Sequence, residues 1–352
     1  MIRKLLSLTG VFSALMMLFL SSDEVKAQEG KFTYSVEKIW DKGTHAAFTS
    51  LVEFKGKYYI TFREGYSHIF DQEGNAEGRI RILESKNGKN WKPILDEGIE
   101  GIDCRDPKLS VTPDGRLMLL FGGSMYRNRE LKGQQGYVMF SSDGRTFTDP
   151  QKIVLNPDPV NASNWLWRVT WNGDTGYGVA YGFGSAGRTL ILYKTKDGVN
   201  YSQLKSFDFD GFPNETTLRF LPDGRMLMMV RRDADDRIGL WGVAEPPYKD
   251  WSISNMPLQI GGQDFVILDD GTVLVGTRSY FVGNHCKTII LRGTTEGGFE
   301  EVFVLPSDGD TSYPGLLVVG KELWVSYYST AGVPGKAAIY LARIPLYALR
   351  KS

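Results

Sequence analysis

The chain has 352 residues, and 41 Lys and Arg are balanced by 41 Asp and Glu, so no net field draws it to nucleic acid or to an anionic membrane surface. Aromatic residues at 12%, 40 glycines and many short alternating runs favour β-structure over helix. Cys104 and Cys286 lie far apart without metal-ligand spacing and are not expected to pair, which sets aside a disulfide scaffold and a structural zinc site.

At the N-terminus, MIRKLLSLTGVFSALMMLFLSS places Arg3 and Lys4 before an apolar run, and Val25-Lys26-Ala27 offers a processing point, so residues 1–27 read as a secretory signal peptide. The run is short for a membrane span, and no Cys near the cleavage region marks a lipoprotein. The expectation is a periplasmic or secreted monomer without a membrane anchor, made of one domain over residues 28–352.

Beyond FTYSVEKIW (32–40), one hairpin pattern recurs. First strands begin near Phe48, Lys108, Arg168, Thr216, Asp264 and Tyr313, at intervals of 60, 60, 48, 48 and 49 residues. Each is followed by a turn such as FKGK, PDGR, NGDT or DDGT and then by a second apolar strand: YYITF, LMLLFGG, YGVAYGF, MLMMVRR, VLVGTR and LWVSYYS. Regular spacing of this kind signals radial repetition. Three units also carry a Ser/Thr-x-Asp/Asn-Gly-x-x-aromatic turn, SKNGKNW, SSDGRTF and TKDGVNY, with a degraded TTEGG in the fifth. The Asp or Asn side chain closes such a turn on nearby backbone, Gly supplies positive φ, and the aromatic fills the space between sheets. The last unit has three strands, and residues 32–40 are free to complete it, which removes an open sheet edge. The prediction is therefore an all-β, six-bladed β-propeller closed by its N-terminal strand, with a five-bladed ring as the alternative.

In a blade, the start of the first strand and the end of the second share one rim. That rim collects His45, Arg63, Arg105, Asp106, Trp167, Arg168, Glu215, Arg231, Arg232, Asp264, Arg278 and Tyr313. The NETTLRFLPDGRMLMMVRR hairpin makes Glu215 a neighbour of Arg231 and Arg232. Clustered guanidinium groups suit an anionic ligand. Any one of these arginines also reads as an inter-blade ion pair, with Arg105-Asp106 and Arg232-Asp233 as candidate pairs. Trp165, Trp167, Tyr327 and Tyr328 read either as sugar-stacking platforms or as packing between blades.

The Asp-Gly turns, the NETTLRFLPDGRMLMMVRR block and the DTSYPGLLVV block resemble the sialidase (neuraminidase) superfamily over nearly the whole mature chain. The resemblance implies a secreted, exo-acting glycoside hydrolase acting on a terminal, acidic sugar of a glycan. It implies Tyr313 as nucleophile, Glu215 as its base and Arg231 as a ligand of the acidic group, to which Arg278 is added by its position on the rim and not by motif. Asp71, in the loop EGYSHIFDQEGNAEG, is the implied acid/base, with His68 and Glu64 as competitors. A departure is HAAFTSL at 45–51, where the family carries Phe/Tyr-Arg-Ile-Pro. An arginine missing there costs a charge-assisted hydrogen bond worth roughly 1.5–3 kcal/mol, which opens the choice to other acidic sugars or a neutral glycan. CRDPKLS at 104–110 resembles instead the Arg-Asp-Pro motif of five-bladed glycosidases, which implies Asp106 orienting a non-sialic sugar and Glu215 as the general acid. A glycan-binding propeller without catalysis is the alternative of another class. No cofactor is called for, since no phosphate-cradling Gly motif, metal ligand set or Ser-His-Asp arrangement stands out among these residues.

Overall fold

The computed structural model describes residues 24–29, 32–157, 165–184, 187–233, 236–280, 285–331 and 335–350. Residues 1–23 of the expected leader lie outside this set. Six sheets form the six blades, antiparallel except where Val154–Asn156 pairs parallel to Asn200–Phe207 at the outer edge of blade three, and their innermost strands are His45–Phe54, Asp103–Val111, Trp165–Asn172, Pro213–Phe220, Asp264–Ile267 and Thr311–Val319. The six-bladed propeller expected from the spacing is thus observed. Phe32–Trp40 pairs with Ala338–Pro345 and closes blade six, and Glu24–Glu29 pairs on its outer edge. Tyr34 meets Phe303 of blade five at 4.8 Å between ring centroids, so closure also covers apolar surface between blades.

The second strands read as nearly continuous apolar runs because neighbouring blades cover both of their faces. Leu117–Arg127 and Met226–Arg232 are buried over most of their length, whereas the outer strand Lys92–Glu97 is largely open to solvent. Cys104 lies in blade two and Cys286 in blade five, both as free thiols.

A feature absent from the sequence-based strand assignment recurs near the start of the inner strands. In five of the six blades, two inner-strand residues oppose one on the second strand: Phe48-Thr49, Asp106-Pro107, Trp167-Arg168, Asn214-Glu215 and Tyr313-Pro314. Phe48, Asp106 and Tyr313 there have positive φ, at 65°, 50° and 47°. Such bulges re-aim a side chain out of the ladder. The strands therefore begin before the expected starts, because a bulge breaks the period-2 pattern from which a strand is read.

The Asp-Gly turns share one hydrogen-bond plan. Asp143 Oδ1 accepts from the amides of Arg145 and Thr146, while Ser141 Oγ accepts from Gly144. Asn87 and Asp197 repeat it with Ser85 and Thr195. Each turn docks on the preceding blade. At Gly88 (φ +73°) an added Cβ would lie 2.1 Å from the Trp324 ring of blade six, and at Gly144 it would lie 2.3 Å from Tyr59 Oη of blade one. Gly173 has a comparable φ of +56° but open space around it. Gly88→Ala is therefore expected to lose about 1–2 kcal/mol of backbone strain plus about 1–3 kcal/mol of overpacking, whereas Gly173→Ala loses the strain alone; denaturant unfolding of the two variants compares them.

Candidate active site

The bulges of blades four and six point their side chains at one another across the ring. Tyr313 Oη donates to Glu215 Oε1 at 2.6 Å. Arg231, the single residue opposite the Asn214-Glu215 bulge, places Nη1 2.9 Å from both Tyr313 Oη and Glu215 Oε1. The other carboxylate oxygen of Glu215 accepts from the Gly262 amide at 2.9 Å. A Cβ at Gly262 would come within 2.5 Å of the Tyr313 ring, so glycine lets this backbone reach Glu215 beneath the phenol. Burial pushes the Tyr313 phenol well above its ordinary value and the Glu215 charge adds to this, while Arg231 and Arg278 pull the other way. The Tyr313 ring packs against Phe48 (4.9 Å) and Trp167 (5.8 Å), with the Arg278 guanidinium 5.2 Å from its centroid.

Blade two adds a carboxyl and an amine. Asp106 is pushed up to about 6, chiefly by burial and also by Glu215, against the pull of Lys108 and Arg105. Its Oδ1 is buried with no hydrogen-bond partner. Lys108, 3% exposed, is pulled down to about 8 by burial, and its Nζ lies 4.3 Å from the Trp167 ring centroid. A buried acid and a buried amine, each shifted towards neutrality, mark this part of the ring as chemically poised.

The other residues picked out from the sequence divide by what their side chains touch. Arg278 donates through Nη2 to the Thr311 carbonyl (2.7 Å) and Tyr328 Oη (2.9 Å) while facing Tyr313. Arg63 is fully buried and bonds Asp103 Oδ1 and the Ser67 carbonyl. Arg105 holds the other Asp103 oxygen at 2.9 Å and the His68 carbonyl at 3.0 Å, so Asp103 takes the place expected for Asp106 as its partner. Arg168 bonds Asp264 at 3.0 Å. Arg232 points away from Arg231, as alternation along a strand requires, and reaches the Ile238 carbonyl, Asp210 and Asp236. Asp233 pairs with Arg231 instead. Arg63, Arg105, Arg168 and Arg232 are thus committed to inter-strand and inter-blade pairing.

Asp71 Oδ1 accepts from the Asn75 amide at 2.7 Å and Oδ2 from the Asn75 side chain, so the carboxylate closes its own loop. His68, in that loop, and His45 both bond Asp310. Trp165, Trp167, Tyr327 and Tyr328 are 0–3% exposed and pack between blades. Lys108 and Asp103 were missed. Lys108 follows the Asp106-Pro107 bulge, and a lysine within an apolar inner strand was the available signal. Hollows of about 530 and 590 Å³ lie elsewhere, on the outer strands of blades three and four, and contain none of the residues around Tyr313.

No protein-family model matches the sequence, and no curated protein sequence matches it. Solved structures do match in fold. A Dyadobacter fermentans protein of unknown function is 18% identical with a TM-score of 0.72, over 88% of this chain and 99% of that one. The Penicillium chrysogenum alpha-L-arabinanase complexed with arabinobiose is 15% identical with a TM-score of 0.67, over 88% and 97%. The Trypanosoma rangeli sialidase with 2,3-difluorosialic acid, described as a covalent intermediate, is 13% identical with a TM-score of 0.64 over 86% of this chain. The match spans 54% of that sialidase's length. The fold is thus the propeller found in these sialidase and arabinanase structures.

Removing Arg63 leaves Asp103 facing Arg105 alone in a closed interior. Arg63→Ala is expected to cost about 3–5 kcal/mol, and Arg116→Ala, whose pair with Asp114 is on the surface, less than about 1 kcal/mol; urea unfolding of both checks this.

Proposed function

We propose that this protein is an exo-acting glycoside hydrolase in which Tyr313 is the nucleophile, Glu215 its base and Asp106 the acid/base. The observation that carries the reading is the 2.6 Å hydrogen bond from Tyr313 Oη to Glu215 Oε1, with Arg231 on both. A buried phenol whose proton is held this tightly does not ionise by itself, so deprotonation must accompany bond formation. Oη attacks the anomeric carbon as its proton passes to Glu215. The bond to the leaving oxygen breaks, and that oxygen takes the proton of Asp106. In the second half, water attacks the anomeric carbon and gives a proton to Asp106, while the departing Tyr313 oxygen recovers its own from Glu215. A neutral nucleophile avoids repulsion from a substrate carboxylate, which fits a terminal acidic sugar, and Arg278 beside Tyr313 is the group placed to bind that carboxylate. Asp106 is favoured over Asp71 as the acid because burial raises its carboxyl to about 6, so that it keeps its proton in mildly acid solution, whereas the hydrogen bonds of Asp71 hold its anionic form.

Wild-type protein is expected to release the aglycone from at least one member of a panel of acidic and neutral aryl glycosides. Tyr313→Phe should lower kcat about 10³-fold or more, and a fluorinated glycoside should leave a sugar adduct on the Tyr313 peptide in mass spectrometry. Turnover surviving in Tyr313→Phe would move the chemistry to Asp106 and Glu215 alone. No release from any glycoside, together with retained glycan binding, would make the propeller a binding protein.

The pH dependence follows from Asp106. Because it must be protonated, kcat/KM is expected to fall as pH rises through about 6. The folded chain holds this proton more tightly than the unfolded chain, so stability should also decrease from pH 3.8 to about 6. Denaturation curves across that window should flatten in Asp106→Asn.

A further inference from the structure

We infer that His45, His68 and Asp310 form a binding site for a divalent first-row transition ion of the zinc or manganese kind, beside the aromatic side chains that pack on Tyr313. His45 Nε2 lies 2.9 Å and His68 Nδ1 2.8 Å from the same oxygen, Asp310 Oδ2, and the three atoms all lie within 4.8 Å of one another. Around an ion at roughly 2.1 Å, two ligands are separated by about 3 Å at right angles and about 3.4 Å in a tetrahedral shell, so each imidazole nitrogen is within about 0.6 Å of ligating distance from the carboxylate oxygen. A small opening of the two rings admits the ion. Two imidazoles and one carboxylate with the remaining positions open is a donor set characteristic of such metals and unlike the all-oxygen shells of calcium or magnesium.

The support of the three side chains matches this role. Asp310 is turned by its other oxygen, which accepts from Tyr328 Oη at 2.6 Å and faces Arg278 Nη2 at 3.4 Å, so Oδ2 is directed at both rings. Outer contacts of this type orient metal ligands. His45 is 8% exposed on the first residue of an inner strand, whereas the His68 side chain is 46% exposed and gives the site an open side. Ligation requires no net loss of protons from neutral rings. The proton on His45 Nε2 moves to Nδ1, which has no partner now, and that on His68 Nδ1 moves to Nε2. Arg278 beside Asp310 and Arg105 on the His68 carbonyl oppose a further cation, so binding should be weaker than at a structural zinc site.

The ion would lie one ring from the nucleophile: His68 packs on Phe48 at 5.2 Å, and Phe48 packs on Tyr313 at 4.9 Å. Its open positions suit water or vicinal hydroxyls of a bound glycan. That last role rests on the glycosidase reading, but the metal site does not.

The full-length mature protein, freed of any histidine tag and stripped with chelator, is titrated separately with zinc, manganese and cobalt chlorides, and metal content is measured after gel filtration. One equivalent per chain is expected for at least one ion, with d–d bands in the visible spectrum if cobalt binds. His68→Gln, at a half-exposed position, should weaken binding at least tenfold, and Tyr328→Phe about tenfold, with circular dichroism unchanged. No saturable equivalent for any of the three ions, or binding in His68→Gln equal to wild type, overturns the site, whatever the outcome of the glycoside panel.

Discussion

The ring depends on the neutralisation of charge where its inner strands meet, and Asp264 is the hub of that neutralisation. At 1% exposure its carboxylate binds Arg168 of blade three at 3.0 Å, Arg219 of blade four at 2.5 Å and the Leu316 amide of blade six at 3.3 Å. One side chain of blade five thus ties three other blades. A buried carboxylate without such partners would be severely destabilising, so the blades hold one another in register through it. Asp103 does the same between blades one and two with Arg63 and Arg105.

This pairing determines which cations remain for chemistry. Arginine is plentiful at the rim because each blade contributes charge there, yet most forks are filled by carboxylates of neighbouring strands. Arg231 differs in that its partner Glu215 also accepts from a phenol, and Arg278 differs in lying over that phenol's ring. The site occupies the part of the ring where ion pairing and the bulges coincide. Glu215, Tyr313 and Asp106 all stand in residue pairs pushed out of their ladders.

Much of the architecture was legible in the sequence, because strand, turn and second strand repeat at nearly constant spacing and each Asp-Gly turn has a local hydrogen-bond plan. The contact between Glu215 and Arg231 was legible too, since a hairpin fixes which residues face each other; the approach of Tyr313 to both was implied by family likeness. The separation of paired from available arginines was not legible. It depends on carboxylates distant in sequence, as Asp264 is from Arg168, and on the face each residue takes, as Arg231 and Arg232 illustrate. The contacts of Asp71 were not legible because only folding shows that its loop closes on Asn75. Asp310 went unassigned because its partners, at positions 45 and 68, come from the opposite end of the chain.

The paired residues displaced from the inner strands have an evolutionary corollary. Their neighbours on either side keep the ladder intact, so exchanging a displaced pair alters what the rim offers while leaving the blade's own backbone ladder in place, except that Arg168 and Thr49 also tie their pairs to other blades. That separation of ladder from displaced side chains gives a physical route by which one propeller can change what its rim presents without relearning how to fold.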